Sequence, residues 1–138
     1  MIVLDTNLVS ELMKSSPDLR VRDWLRSHEV DVFCLSAVTV AEITFGLERL
    51  PAGRRRNELH TRFEVFAEAL TVLPLDDPAA REAGRFRAIR TAEGLTAQPS
   101  DMMIAGIVAV AGAALATRNV RDFEGLPILV QDPWSGRR

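Results

Sequence analysis

Apolar runs of only three to five residues recur along this chain, each cut off by polar or turn-forming residues. Ile2-Val3-Leu4 stops at Asp5-Thr6-Asn7, Val32 to Leu35 stops at Ser36, and Thr71 to Leu75 is closed by Asp76-Asp77-Pro78. Ala113 to Thr117 and Ile128 to Val130 follow late in the chain. Runs this short and this apolar suit strands covered on both faces. Between them lie longer segments of helical pattern. Leu8 to Met13 gives a first short helix, and Leu19, Val21, Trp24 and Leu25 mark an amphipathic one after Pro17-Asp18. Ala37 to about Leu50 is a helix capped by Ser36 and halted by Pro51-Ala52-Gly53. Arg54 to Leu70 and Ala79 to Ala92 are two more, the latter with Gly94 at its end. Asp101 to Val110, opened by Pro99-Ser100 and ended by Gly112, is apolar on nearly every side and therefore expected to be buried. Strands alternating with helices imply βαβ units, so the expected fold is α/β: a three-layer α/β/α sandwich around a mostly parallel central sheet.

With 138 residues, the chain is expected to form one domain spanning 1–138. The single cysteine, Cys34, has no internal disulfide partner and lies in an apolar run, which points to a core residue in a reducing compartment. Asp5 and Glu11 interrupt what would otherwise be a leader, and the longest uncharged run, Met102 to Thr117, is sixteen residues with two glycines. A membrane span needs ~20. The expected location is cytoplasmic.

Charge separates the function classes only weakly. Basic residues number 17 against 19 acidic, without the basic excess that usually marks a nucleic-acid binder. All the basic residues but Lys14 are arginines, clustered at Arg54, Arg55 and Arg56 and again at Arg81, Arg85, Arg87 and Arg90. Such clusters usually form solvated faces.

The isolated acids are more informative. Ligands of open α/β sheets collect at the carboxyl ends of the strands, where Asp5 follows the first strand and Thr117, Arg118, Asn119 and Asp122 follow the fourth. Glu42 sits among Val40, Ala41 and Ile43, and Asp101 opens the most apolar helix. Each has a plain structural explanation: Asp5 as a helix cap, Asp101 as a first-turn acid favoured by the helix dipole, Asp122 as a turn residue. A carboxylate in Glu42's surroundings is expected to be paired, protonated or liganded. If the four share a pocket they repel, by about 4 kcal/mol per pair at ~4 Å and an effective dielectric near ~20. Either some are protonated or a cation joins them. All-oxygen ligation suits Mg2+ or Mn2+ better than zinc, and such ions activate water and bind phosphate oxygens.

Other chemistries lack their parts. His28 and His60 have no zinc-ligand spacing and read as surface residues. A Gly-x-Ser-x-Gly elbow, a P-loop and a Gly-x-Gly-x-x-Gly fingerprint are all missing. Aspartyl-phosphate chemistry of the haloacid-dehalogenase type wants a second aspartate where Asn7 stands, and a late lysine.

The same residues resemble PIN-domain nucleases. Ile2 to Asn7 is similar to the family's opening, Thr39 to Gly46 (TVAEITFG) to its second acidic motif, Asp101-Met102-Met103-Ile104-Ala105 to its third and Thr117 to Phe123 to its fourth. Pro133-Trp134 also recurs in close relatives, so the match runs from Ile2 to Trp134. The small single-domain members are VapC-type toxins of type II toxin–antitoxin pairs. The resemblance implies a PIN-like fold and a Mg2+- or Mn2+-dependent endoribonuclease acting on RNA, inhibited by a cognate VapB-type antitoxin and forming a homodimer. By position it makes Asp5, Glu42, Asp101 and Asp122 the catalytic and metal-binding acids, with Asn7, Thr117 and Asn119 in support. Arg85 and Arg118 would guide RNA toward the acids. The antitoxin would lie along a groove beside the second and third helices, where Trp24, Phe45 and Leu47 could serve it if they are not core. The competing expectation is a non-catalytic PIN-like binding module.

Overall fold

The structure, a computed structural model, describes residues 1–136. A fully parallel five-stranded sheet has the order β3-β2-β1-β4-β5. Its strands are β1 (Ile2–Leu4), β2 (Phe33–Ser36), β3 (Thr71–Leu73), β4 (Ala114–Ala116) and β5 (Leu129–Gln131). The helices are α1 (Thr6–Leu12), α2 (Leu19–Ser27), α3 (Ala37–Glu48), α4 (Arg54–Glu68), α5 (Asp77–Ala92) and α6 (Pro99–Ala111), with a 3-10 turn at Val120–Phe123.

Strand alternation sorts the sheet's side chains to two cores. Ile2, Leu4, Leu35 and Ala116 pack under α1 to α4 with Val9, Val21, Trp24, Leu47 and Phe63. Val3, Cys34 and Leu115 face the opposite layer with Phe86, Met102, Ala105, Val108 and Phe123. The three-layer sandwich is therefore the observed architecture, and Cys34 is core as expected.

Helix starts differ from the sequence reading where a capping side chain acts two residues earlier than the apolar pattern suggests. α1 begins at Thr6 rather than Leu8, because the Asp5 carboxylate itself accepts the Thr6 N–H. α5 begins at Asp77 rather than Ala79, with Asp76 as cap and Pro78 in its first turn. β3 ends at Leu73 rather than Leu75, ahead of Pro74, which has no N–H to give a neighbouring strand. α6 ends at Gly112, whose φ of 63° is the left-handed cap conformation.

β1 is the central strand, and the chain moves from it to β2 and β3 on one side before crossing to β4 and β5 on the other. This reversal opens the crevice of an α/β sheet at the carboxyl ends of β1 and β4. The Asp5 N–H still donates to the Ala116 carbonyl at 2.9 Å, so the two strand ends are held together where the crevice begins.

Candidate active site

Asp5, directly after β1, is only 4% exposed. Its Oδ1 accepts the Thr6 N–H at 2.8 Å, and its Oδ2 accepts the Thr117 hydroxyl at 2.6 Å and Asn7 Nδ2 at 3.2 Å. Asn7 Nδ2 also lies 3.3 Å from Thr117 Oγ1, and Asn7 Oδ1 accepts the Arg118 N–H at 3.2 Å. The Asn119 N–H donates to Thr117 Oγ1 at 3.0 Å. Asn7, Thr117 and Asn119 thus form one network that fixes the Asp5 carboxylate between the ends of β1 and β4.

Glu42 reaches the same end of the sheet from α3. The Thr6 hydroxyl donates to its Oε1 at 2.8 Å and lies 3.1 Å from Thr39 Oγ1. Ser36 caps α3 by accepting the Thr39 N–H at 3.0 Å, as its sequence position indicated. Glu42 is solvent-exposed despite its apolar sequence neighbours, so its charge does not require the partner that burial would demand. Its apolar neighbours misled because α3 leaves one face uncovered: Ala41 is exposed, and Phe45 is 63% exposed under the Arg49 guanidinium. Phe45 is thus outside the core, while Trp24 and Leu47 lie within it.

Asp101 stands in the first turn of α6 and Asp122 on the 3-10 turn after β4, both half-buried. Burial, followed by the charges of Asp5, Asp122 and Glu42, pushes the Asp101 carboxyl up to about 6. Arg90 pulls it the other way. The Asp5 carboxyl is also raised, chiefly by burial, against hydrogen bonds from Thr117, Thr6 and Asn7. All four acids therefore sit in one electrostatic neighbourhood, and none of them is in an ion pair among the described residues. Among those residues no three carboxylate, histidine or cysteine side chains already converge as an ion-holding group. The donor chemistry nevertheless fits a hard divalent cation: four carboxylates, no soft ligand, and mutual repulsion that raises Asp101.

The two candidate guides fare differently. Arg85 is paired with Glu82 along α5. Arg118 follows Thr117 directly, with its guanidinium 5.3 Å from the centroid of the Trp134 ring. Beside Glu42, a cleft of about 570 Å³ opens between α1, α3 and α4, bordered by Thr6, Ile43, Leu47, Arg55 and Arg62. It is lined by α3 and α4, and α2 contributes no residue to it. His60 is 3.4 Å from Glu48, and the Trp24 carbonyl lies 2.9 Å from His28 Nδ1 as an acceptor.

Sequence reasoning gave no part in the site to Thr6, which reads as an ordinary cap residue but bridges Asp5 and Glu42. It also placed Arg90 with the solvated arginines. A signal was present: Ala79, Ala83, Phe86 and Arg90 are spaced four, three and four apart, the stripe that α5 buries.

Comparison with known proteins agrees with this geometry. Residues 2–128 match the PIN domain family. The chain is 39% identical to VapC ribonuclease Y4jK of Sinorhizobium fredii, covering 97% of this chain and 98% of that one. It superposes on the crystal structure of FitAcB from Neisseria gonorrhoeae with a TM-score of 0.90 at 33% identity, over 98% of this chain and 99% of that chain. The DNA-bound VapBC structure from Salmonella typhimurium is similar with a TM-score of 0.82 at 31% identity, over 96% and 97% of the two chains. A parallel sheet with its acids gathered past β1 and β4, matched by family and fold along nearly its whole length, places this chain in the PIN domain family.

Proposed function

We propose that this chain is an endoribonuclease toxin that hydrolyses RNA phosphodiester bonds with the aid of Mg2+ or Mn2+, and that a VapB-type antitoxin restrains it. The observation that carries the reading is the acidic neighbourhood of Asp5, Glu42, Asp101 and Asp122, none of them in an ion pair among the described residues, on a chain whose full-length relative is named a ribonuclease. Asp5 and Asp101 would be direct ligands of the ion, with Glu42 and Asp122 holding a second ion or its waters. When bound, the ion would lower the pKa of water and neutralise charge on the phosphate.

The chain's own residues would do the rest. Thr117, Asn7 and the Thr6 N–H orient the Asp5 carboxyl and oppose the rise that its burial causes. Thr6 aims Glu42, and Asn119 steadies Thr117. Because bare carboxylates repel a phosphate backbone, Arg118 at the rim would draw the RNA strand in. The antitoxin reading is supported by structural neighbours that are toxin–antitoxin complexes, FitAcB and VapBC. A basic side chain of the antitoxin, entering from the cleft beside Glu42, would pair with the carboxylates. A homodimer is part of the same proposal. Among the described residues no helix is long and apolar enough to cross a membrane.

The test is a parallel assay of purified protein on total RNA and on a generic phosphate monoester. RNA is expected to be cut, the ester left intact, and cutting to stop when the cognate antitoxin is added. Ester hydrolysis without RNA cleavage would replace the nuclease reading with a phosphatase, and inertness of antitoxin-free protein on all RNA would favour a binding module.

A further inference from the structure

Arg90, in the last turn of α5, is 3% exposed, yet no carboxylate pairs with it among the described residues. A buried cation without a counter-ion is costly unless dipoles replace the water it loses. Here the replacement is three backbone carbonyls. Nε–H donates to Thr96 O at 2.8 Å, Nη1–H to Glu124 O, and Nη2–H to Arg121 O at 3.3 Å. The carbonyl end of α5 adds a favourable dipole to the same charge. An apolar side chain would fill the space at less electrostatic cost, so packing alone does not account for an arginine here.

The choice of carbonyls suggests what the charge is for. Arg121 and Glu124 flank Asp122 and Phe123, so the guanidinium grips the 3-10 turn on both sides of Asp122. Thr96 lies in the loop that enters α6, two residues before its cap Gln98 and five before Asp101. That loop is tied to α5 a second time by the Leu95 N–H, which donates to the Arg90 carbonyl at 2.9 Å. One side chain therefore joins the two segments that carry the third and fourth acids, which are otherwise distant in sequence. Only a rigid planar fork reaches carbonyls in three directions; an ammonium, a point charge, cannot span them.

We propose that Arg90 is a positioning residue of the acidic site: its fork clamps the backbone on both sides of Asp122 to the loop leading into Asp101 and so sets the two acids against each other. This rests on the reading of Asp101 and Asp122 given under Proposed function. The clamp is internal and touches neither RNA nor antitoxin, so its loss acts on catalysis and ion binding rather than on substrate affinity.

Arg90→Lys is compared with Phe86→Leu, a control one turn earlier on α5 that is equally buried and packs only within the apolar core. Both are read by calorimetric Mn2+ titration without RNA, and by kcat and KM at saturating Mn2+, at a temperature where circular dichroism shows them folded. Arg90→Lys is expected to weaken Mn2+ binding and lower kcat by ~10- to 100-fold each, the range for loss of an orienting partner, with KM for RNA changed less than about twofold. Phe86→Leu should melt lower yet keep Mn2+ affinity and kcat within about twofold of wild type. If the two variants behave alike, Arg90 is a stability residue only and the proposal is overturned. Asp122→Asn separates the other failure: if it binds Mn2+ and cuts RNA like wild type, the role given to Asp122 is wrong and there is nothing for Arg90 to position. Should Arg90→Lys not fold, amide exchange in the wild type decides. The Asp122 and Leu126 amides are expected to exchange as slowly as the last turn of α5, and exchange faster by ~100-fold would show that the turn is not clamped.

Discussion

Asp5→Asn and Asp101→Asn are each expected to remain folded while cutting RNA about a thousandfold more slowly than wild type, the equivalent of ~4 kcal/mol of transition-state stabilisation. The fold should survive because an asparagine at position 5 still presents an oxygen to the Thr6 N–H, the bond that starts α1. It loses the bonds that the Thr117 hydroxyl and Asn7 Nδ2 give to Oδ2, on the order of 1 kcal/mol each, but also removes a charge from a site that is 4% exposed. The pH dependence of stability gives a second readout. Both carboxyls are raised above their ordinary value of 3.8, Asp101 to about 6, so between those values the folded chain binds more protons than the unfolded one. In metal-free buffer, stability should therefore increase as pH falls from above 6 toward 4, with Asp101 contributing on the order of 2 kcal/mol after allowance for its partial solvation. Thermal melts across this interval should show a rising midpoint for wild type and a shallower rise for Asp101→Asn. A wild-type midpoint that falls over the same interval would mean that burial and the neighbouring charges do not raise these carboxyls in the folded protein.

The largest loss of stability is expected at Gly106, on the face of α6 that meets α5. A Cβ there would stand 2.9 Å from Ala83 N and closer still to the Ala79 carbonyl oxygen. Both obstacles are backbone, so no side-chain rotation relieves them and the two helices must separate. Overpacking a core by flexible side chains already costs ~1–3 kcal/mol, so Gly106→Ala should cost ~3 kcal/mol or more and lower the melting midpoint by roughly 10 °C. Gly84→Ala on the partner helix is the control, since its added Cβ meets nothing within 4 Å. It should be neutral or stabilising by up to about 1 kcal/mol, as expected for replacing a helical glycine. Equal melting points for the two variants would show that α5 and α6 are not packed this closely. Because α6 carries Asp101 and α5 carries Arg90, Gly106→Ala should also lose activity in the fraction that remains folded.

The sequence displays the sheet well and the helix surfaces poorly, for a physical reason. Ile2-Val3-Leu4, Cys34-Leu35 and Ala114 to Ala116 are covered on both faces, so their apolar character follows from the layer architecture alone. Asp5 and Thr117 are legible as residues just past strands, but that β1 and β4 lie side by side is seen only in the sheet order, and Asn7 and Asn119 are legible only through the resemblance. Which face of a helix is covered depends on what packs against it. α3 is apolar nearly all round yet leaves Ala41, Glu42 and Phe45 in solvent, whereas α5 is rich in arginine yet buries one. Thr6 shows a third limit. Its capping position is local and legible, but its hydrogen bond to Glu42 spans 36 residues and arises only when α3 docks beside α1.

The measurement that bears most directly on the acidic site as a metal-dependent nuclease centre is RNA cleavage by metal-stripped wild-type protein as Mn2+ is added back, with Asp5→Asn purified identically beside it. The stripped wild type should leave RNA intact, cleavage should return as Mn2+ saturates the protein, and Asp5→Asn should stay silent at every Mn2+ concentration. Undiminished cutting by the wild type in chelator, or equal cutting by the two proteins, would contradict it.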